Sequence, residues 1–246
     1  MVNTEVFYDQ FHRHSKSSFT LIKDEDFTYG NIVHLINNYA RDKYSILDIG
    51  CGVGVIDFYL GSKGMSVLGI DVSKKAIKKA QMTAKYFDLG EKVDFKKMNF
   101  PIDFPQKRFD MILCLEVLEH LRDDRVAVSI IKNLLSSGGV VIVSSPSINA
   151  PLYKLGMLDK FDKKVGHLRR YSTKSIRSLF KDSDLEILDV VRQEGILRNF
   201  LFTNYVGGIL LKIVKRWPFS IVITFFDDLA TKMFGESDIY LVARKK

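Results

Sequence analysis

Residues able to do chemistry gather at four places in this chain. The first is Asp48 with the glycines of Gly50-Cys51-Gly52-Val53-Gly54. Three glycines at alternate positions let the backbone approach a ligand closely, because no Cβ intervenes and positive φ costs little. A helix opening directly after them offers unpaired N–H groups to the polar end of a cofactor. The second is Asp71, closing the apolar run Ser66-Val67-Leu68-Gly69-Ile70. It follows the glycines by about 20 residues, the separation at which α/β nucleotide sites set a carboxylate on ribose hydroxyls. Its structural alternative is a cap for the helix that begins near Ser73. The third is Glu119-His120, where an imidazole of ordinary pKa about 6.5 suits a general base for an acceptor hydroxyl. The fourth is His167 with Arg169 and Arg170. It offers a second base and two guanidinium groups that could grip an acceptor carboxylate or phosphate, or simply pair with Asp159 and Asp162.

Two cofactor classes fit a glycine turn followed by such an acid: a nicotinamide or flavin dinucleotide, and S-adenosylmethionine (SAM). The dinucleotide fingerprint G-x-G-x-x-G needs a glycine where this chain has Val55. Asp48, two residues before the first glycine, would repel a pyrophosphate. It suits a ligand carrying ammonium and sulfonium charge.

The elements that must position these residues alternate in type. A helix over 26–41, with Ile32, Val33, Leu35 and Ile36 as its apolar stripe, precedes strand 45–49 and helix 53–63. Strand 66–70, helix 73–87, strands 92–98 and 109–114, helix 124–136 and strand 139–145 follow. Helix 173–181 and strands 185–193 and 238–244 complete a count of seven strands. Such alternation implies right-handed crossovers and a mostly parallel sheet, with ligands at the carboxyl ends of its strands.

Four ordered motifs resemble those of class I SAM-dependent methyltransferases. They are the glycine turn with Asp71, Phe109-Asp110-Met111-Ile112-Leu113-Cys114-Leu115-Glu116-Val117-Leu118-Glu119-His120-Leu121, Gly138-Gly139-Val140-Val141-Ile142-Val143-Ser144, and Gly166-His167-Leu168-Arg169-Arg170-Tyr171-Ser172. The last resembles a subset that includes quinone and cell-surface glycan or lipid modifiers. The resemblance implies a Rossmann-like seven-stranded sheet of order 3-2-1-4-5-7-6, helices on both faces and an antiparallel last strand. It places Gly50, Cys51, Gly52 and Gly54 at the methionine end of SAM, with Asp48 beneath them, and Asp71 with Val72 at the ribose. Asn99 stands where the family often has an acid for the adenine amino group, and Phe100 beside it would line that pocket. Cys114 and Leu115 would close over the cofactor through backbone carbonyls. His120 and His167 are the candidate bases, and Glu119, Arg169 and Arg170 the acceptor contacts. Tyr8 would serve as a lid, as in some relatives. The two thiols would then flank the cofactor.

The chain reads as one domain over 1–246, with an amino-terminal helical cap over 1–43 and an apolar helical insertion over 196–236 before the last strand. Met1 to Ser18 lacks the apolar run of a signal peptide. Two cysteines supply neither a disulfide framework nor a metal-ligand cluster, so no metal is expected and a reducing cytoplasm is the simplest compartment. The net charge of +8 is concentrated in part at Lys74, Lys75, Lys78 and Lys79, which read as a solvated helix face. The other meaning of that charge is an anionic partner, nucleic acid or lipid headgroups. No RNA-binding module is visible, and the loop at Cys114 to Val117 lacks the Asn/Asp-Pro-Pro-aromatic pattern of many base N-methyltransferases. The insertion is apolar almost all round, yet its longest uncharged run, Asn199 to Leu211, falls short of the roughly 20 residues a spanning helix needs. It reads as a cap over the site, a membrane-surface helical pair with Lys212, Lys215 and Arg216 beside Trp217, or a homodimer interface. The function implied is methyl transfer to a small-molecule or lipid- or glycan-linked acceptor, most directly at a hydroxyl oxygen. RNA methylation and a non-catalytic SAM-binding subunit are the alternatives.

Overall fold

The computed structural model describes residues 4–11, 21–216 and 218–246. Trp217 therefore lies outside the described residues, with 1–3 and 12–20. Seven strands form one sheet: β1 (Ser45–Ile49), β2 (Ser66–Asp71), β3 (Val93–Lys97), β4 (Phe109–Leu115), β5 (Leu135–Pro146), β6 (Leu185–Gln193) and β7 (Asp238–Lys245). Their order is β3-β2-β1-β4-β5-β7-β6. The central pairs are parallel, and β7 runs antiparallel to both of its neighbours. This is the order the resemblance implies.

Both faces of the sheet are covered, which is why β1 reads as an unbroken apolar run apart from Asp48. Leu47 and Ile49 point into one core, shared with α5 (Asp124–Leu134) and α8 (Thr173–Lys181). Ile46 points into the other, shared with α2 (Gly30–Tyr39), α3 (Val55–Ser62) and α4 (Lys74–Tyr86). Strand periodicity of two sorts the side chains this way. On α4, Ala76, Ile77, Ala80 and Ala84 are buried while Lys74, Lys75 and Lys78 are exposed, as a solvated face requires.

Three segments differ from the sequence expectation. Helix α5 stops at Leu134, and β5 begins at once with Leu135 opposite Phe109. A register shift in that pairing, with Gly138 at φ 73°, accommodates the residues that would otherwise extend the helix. Two short helices, α6 (Pro151–Lys154) and α7 (Asp159–Val165), fill the connection to α8, and Gly166 ends α7 in the left-handed conformation. The insertion is three helices: α9 (Ile196–Thr203), α10 (Tyr205–Val214) and α11 (Phe219–Phe234). It leaves the sheet after β6 and returns at β7, whose first residue pairs with Gln193 and Pro146. It therefore springs from the carboxyl edge of the parallel strands.

Candidate active site

At that edge a cavity of about 370 Å³ opens between the ends of β1, β2 and β4. Gly50 and Gly52 line it, and both hold positive φ, 79° and 55°. The N–H groups of Gly50 and Cys51 donate to the Ile70 carbonyl at 2.8 and 3.1 Å, tying the turn to β2. A Cβ at Gly50 would overlap Val117, so glycine is required there for space as well as for backbone. Gly54, at the start of α3, packs against Phe95 and Phe58 instead of lining the cavity.

Asp71 ends β2 at the cavity wall. Its Oδ2 accepts from Gly52 N at 3.0 Å and its Oδ1 from Ser73 N at 2.7 Å. The cap reading and the ligand reading are thus joined, since a carboxylate offers about four acceptor sites and can also receive ribose hydroxyls. Val72, Asn99, Phe100 and Leu115 line the same cavity, as does Met98.

Asp48 is buried and does not reach the cavity wall. Its partner is Asp57 on α3, fully buried, whose two oxygens receive no hydrogen-bond donor. Burial raises Asp48 well above the usual carboxylate range, with the charge of Asp57 adding to it. Burial likewise brings Asp57 to about 7. Two neighbouring buried carboxylates disfavour each other's charge. Asp57 escaped the sequence reading because an acid in the first turn of a helix is ordinary.

The cysteines correct an expectation. Cys114 is fully buried in the core below the sheet edge, and Cys51, half-buried, directs its thiol to the Gly52 carbonyl at 3.8 Å. Neither lines the cavity, because side chains alternate along β4 and Leu115 takes the exposed place. Burial raises both thiols well above their ordinary pKa.

Glu119, His120 and His167 come together although 46 residues separate the two histidine motifs. The link is backbone: Leu168 N–H donates to the Glu119 carbonyl at 2.9 Å. The ring centroids of His120 and His167 lie 4.9 Å apart, and both rings line the cavity. His120 Nδ1 lies 3.1 Å from the Gly166 carbonyl, which can only accept, so Nδ1 carries the hydrogen. His167 Nδ1 is fixed in the same way by Asp162 Oδ1 at 3.0 Å. Each Nε2 then presents a lone pair towards Glu119 Oε1, at 4.0 and 3.9 Å respectively. Burial lowers both histidines, His167 to about 4, so both rings are neutral near pH 7.

Beneath them Glu119 is fully buried; its Oε2 accepts from Ser145 Oγ at 2.9 Å and its Oε1 has no hydrogen-bond partner. Burial first, then the charge of Glu116, raises it well above the ordinary value. Glu116 lines the cavity at φ 54°, a left-handed conformation costly for a non-glycine residue. Its side chain is exposed to the open cavity and accepts from Ser144 Oγ at 2.7 Å; the protein packed around the cavity mouth, then the charge of Asp238, lifts it to about 8. Glu116 was missed by the sequence reading; its signal was the spacing Glu116-x-x-Glu119 at a strand end. The chain shows no metal-ligand spacing, yet Glu119, His120 and His167 bring one ligand atom each within 4.8 Å of one another. Such a set can hold a proton or a cation.

The arginines also correct an expectation, because neither lines the cavity. Arg169 pairs with Asp124 at 2.7 Å and donates to the Arg122 carbonyl at 2.8 Å. Arg170 takes Asp162 in a fork, at 2.8 and 2.6 Å, and stacks on Tyr153. Asp162 in turn orients His167, so Arg170 positions that ring through it. Asp159, the other acid weighed as a partner, makes neither contact.

Tyr8, on α1 (Thr4–Phe11), lines the cavity with its ring edge-on to His120 at 5.7 Å. The helix is latched by Glu5 to Lys97 at 2.6 Å, and by Asp9 accepting from Ser73 Oγ at 2.7 Å and Lys75 N at 3.1 Å. Phe161 and Val165 of α7 form the far wall.

A doubly wound sheet with a glycine turn, a ribose-type carboxylate and an apolar cavity at its carboxyl edge defines a nucleoside-cofactor enzyme. Residues 25–190 match the methyltransferase domain family, and the chain belongs to that family as a class I SAM-dependent methyltransferase. It is 26% identical over 168 residues to the ubiquinone biosynthesis O-methyltransferase of Idiomarina loihiensis, spanning 68% of each chain. The corresponding protein of Alkalilimnicola ehrlichii is 35% identical over 115 residues, 46% of each chain. Other such matches, in Nitrosomonas europaea and Thiobacillus denitrificans, span about half the length of the relatives. Among solved structures, a putative sarcosine dimethylglycine methyltransferase from Galdieria sulphuraria shares the fold at TM-score 0.66 and 16% identity, covering 98% of each chain. The N-methyltransferase NodS from Bradyrhizobium japonicum, in complex with S-adenosyl-L-homocysteine (SAH), does so at TM-score 0.62 and 15% identity over 99% of each.

Proposed function

We propose that this methyltransferase acts on a hydroxyl oxygen of a small, largely apolar acceptor, with His120 as the general base. The observation that carries this is the fixed tautomer of His120, whose Nδ1–H is held by the Gly166 carbonyl while the ring lines the cavity. The cofactor fits what the chain offers: backbone at Gly50 and Gly52 without side chains, a carboxylate at Asp71, and Asn99 with Phe100 further along the wall. The bound cofactor supplies a methyl group on a sulfonium, and its departure leaves a neutral thioether.

The chain's own residues then do three things. Tyr8 and α7 enclose the reacting groups and exclude water, which strengthens every electrostatic interaction inside. His120 Nε2 takes the hydroxyl proton as the oxygen forms its bond to carbon, a role worth about 10²–10⁴-fold in rate. Asp162, held by Arg170, fixes the neighbouring His167 ring and with it the packing around His120. Relatives named for O-methylation in ubiquinone biosynthesis support an aromatic hydroxyl, and the apolar walls Phe100, Val117, Leu121 and Phe161 support an acceptor with an apolar body. The test is SAH release in a panel of apolar phenols and catechols against matched amines. Release with amines alone would refute the hydroxyl assignment.

A further inference from the structure

Helix α11 is built inside out. Its inward side carries Asp227, fully buried, which accepts from Gly195 N at 2.8 Å, Leu197 N at 2.9 Å and Arg198 N at 3.0 Å. Thr224 on the same side accepts from the Arg198 guanidinium at 2.9 Å. The outward side carries Val222, Phe225, Phe226, Leu229 and Met233, with Phe225 65% exposed. A surface helix facing water has the opposite arrangement, apolar inward and polar outward. Helix α10 repeats the inversion: its buried residue is Gly207, set against the α9 backbone, and Tyr205, Ile209 and Ile213 are exposed. So large a contiguous apolar surface marks a docking face.

Charge on this face is mostly of one sign. From Asn204 to Phe226 the charged residues are Lys212, Lys215 and Arg216, all exposed, with no aspartate or glutamate among them. Asp228 and Lys232 follow as a mixed pair further along α11. A two-fold dimer would lay this patch on itself and bring three cations of each copy together with only Asp228 to answer them. An anionic lipid surface answers all three and accepts the aromatic and aliphatic side chains at its boundary. No described helix is long and apolar enough to cross a membrane, so the pair would lie along the surface.

We propose that α10 and α11 seat the protein, as a monomer, on an anionic bilayer surface. The insertion leaves and rejoins the sheet at the edge that holds the cavity, and α9 packs on α6, directly before the α7 wall. An acceptor with an apolar body then reaches the cavity from the lipid without crossing water; this clause alone rests on the function proposed above.

The test is vesicle co-sedimentation of the full chain, which reads lipid partition and not methyl transfer. Vesicles of phosphatidylcholine alone are compared with phosphatidylcholine mixed with phosphatidylglycerol. Partition should favour the mixed vesicles and weaken with salt. Each cation near the surface is worth about five-fold, so Lys212→Ala/Lys215→Ala/Arg216→Ala should lower partition roughly 100-fold. Ile209→Ser with Phe225→Ser, both on the exposed side, should abolish it while thermal melting stays wild-type. Equal partition to both vesicles, or none to either, overturns the proposal. So does a sedimentation-equilibrium dimer that Phe225→Ser disperses, which would assign the face to a second copy.

Discussion

Replacing Asp71 by Asn separates its two roles. The carboxylate now accepts Gly52 N–H at 3.0 Å with one oxygen and Ser73 N–H at 2.7 Å with the other. An amide of the same shape has one accepting oxygen, so one of these N–H groups would face an NH₂ donor. Leaving a buried donor unsatisfied costs about 1–3 kcal/mol, or roughly 2–12 °C in Tm for a chain of this length. Ribose hydroxyls on the same carboxylate would lose a charged acceptor, about 1.5–3 kcal/mol, which weakens SAH binding roughly 10- to 150-fold. Titration calorimetry with SAH and thermal melting of the free protein measure the two effects separately. Lower Tm with unchanged SAH affinity would reduce Asp71 to a turn cap and refute its assignment to the cofactor.

His120→Ala should lower kcat by about 10²–10⁴-fold and leave SAH affinity unchanged; parallel losses in both would make the ring a binding element. Burial holds the native histidines below 6.5, His167 at about 4, so the unfolded chain binds protons first. Native stability should therefore fall as pH drops from 6.5 towards 4, and His167→Gln should flatten that slope in pH-dependent melts; an identical slope would contradict the burial of His167. Arg170→Ala leaves Asp162 uncompensated beside His167 and should cost about 3–5 kcal/mol of stability by denaturant unfolding; a raised acceptor KM at unchanged stability would return Arg170 to the acceptor site. Cys51 and Cys114 should resist alkylation in the native state with or without SAH, and rapid labelling of Cys114 would contradict its place in the core.

The sheet was legible because each strand carries an unmistakable signal. Both of its faces are buried, so β1, β4 and β5 carry apolar runs, the first two ended by glycine or acid, and their order is the one the family resemblance implies. The cavity wall was legible for the same reason, since Gly50, Gly52, Asp71, Asn99 and Leu115 end or follow strands whose ends share one edge. What the sequence hid was contact between distant segments. Arg170 could choose among nearby acids, and only the turn at Gly166 shows that Asp162 takes it. Nothing local marked Asp57 as buried or Glu116 as a cavity residue, because the groups beside them, Asp48 and Glu119, are brought there by the fold. Helices α10 and α11 are apolar almost all round, and their sequence alone does not say that the few polar groups, at Asp227 and Thr224, face in.

The most direct test of the account is where the methyl group goes. The enzyme is incubated with SAM bearing a trideuterated methyl group and a catechol with an apolar side chain, and tandem mass spectrometry locates the label. The account predicts label on a hydroxyl oxygen, one SAH per methyl transferred, and loss of transfer in His120→Ala with SAH binding intact. Label on nitrogen or carbon, or undiminished transfer in His120→Ala, would contradict it.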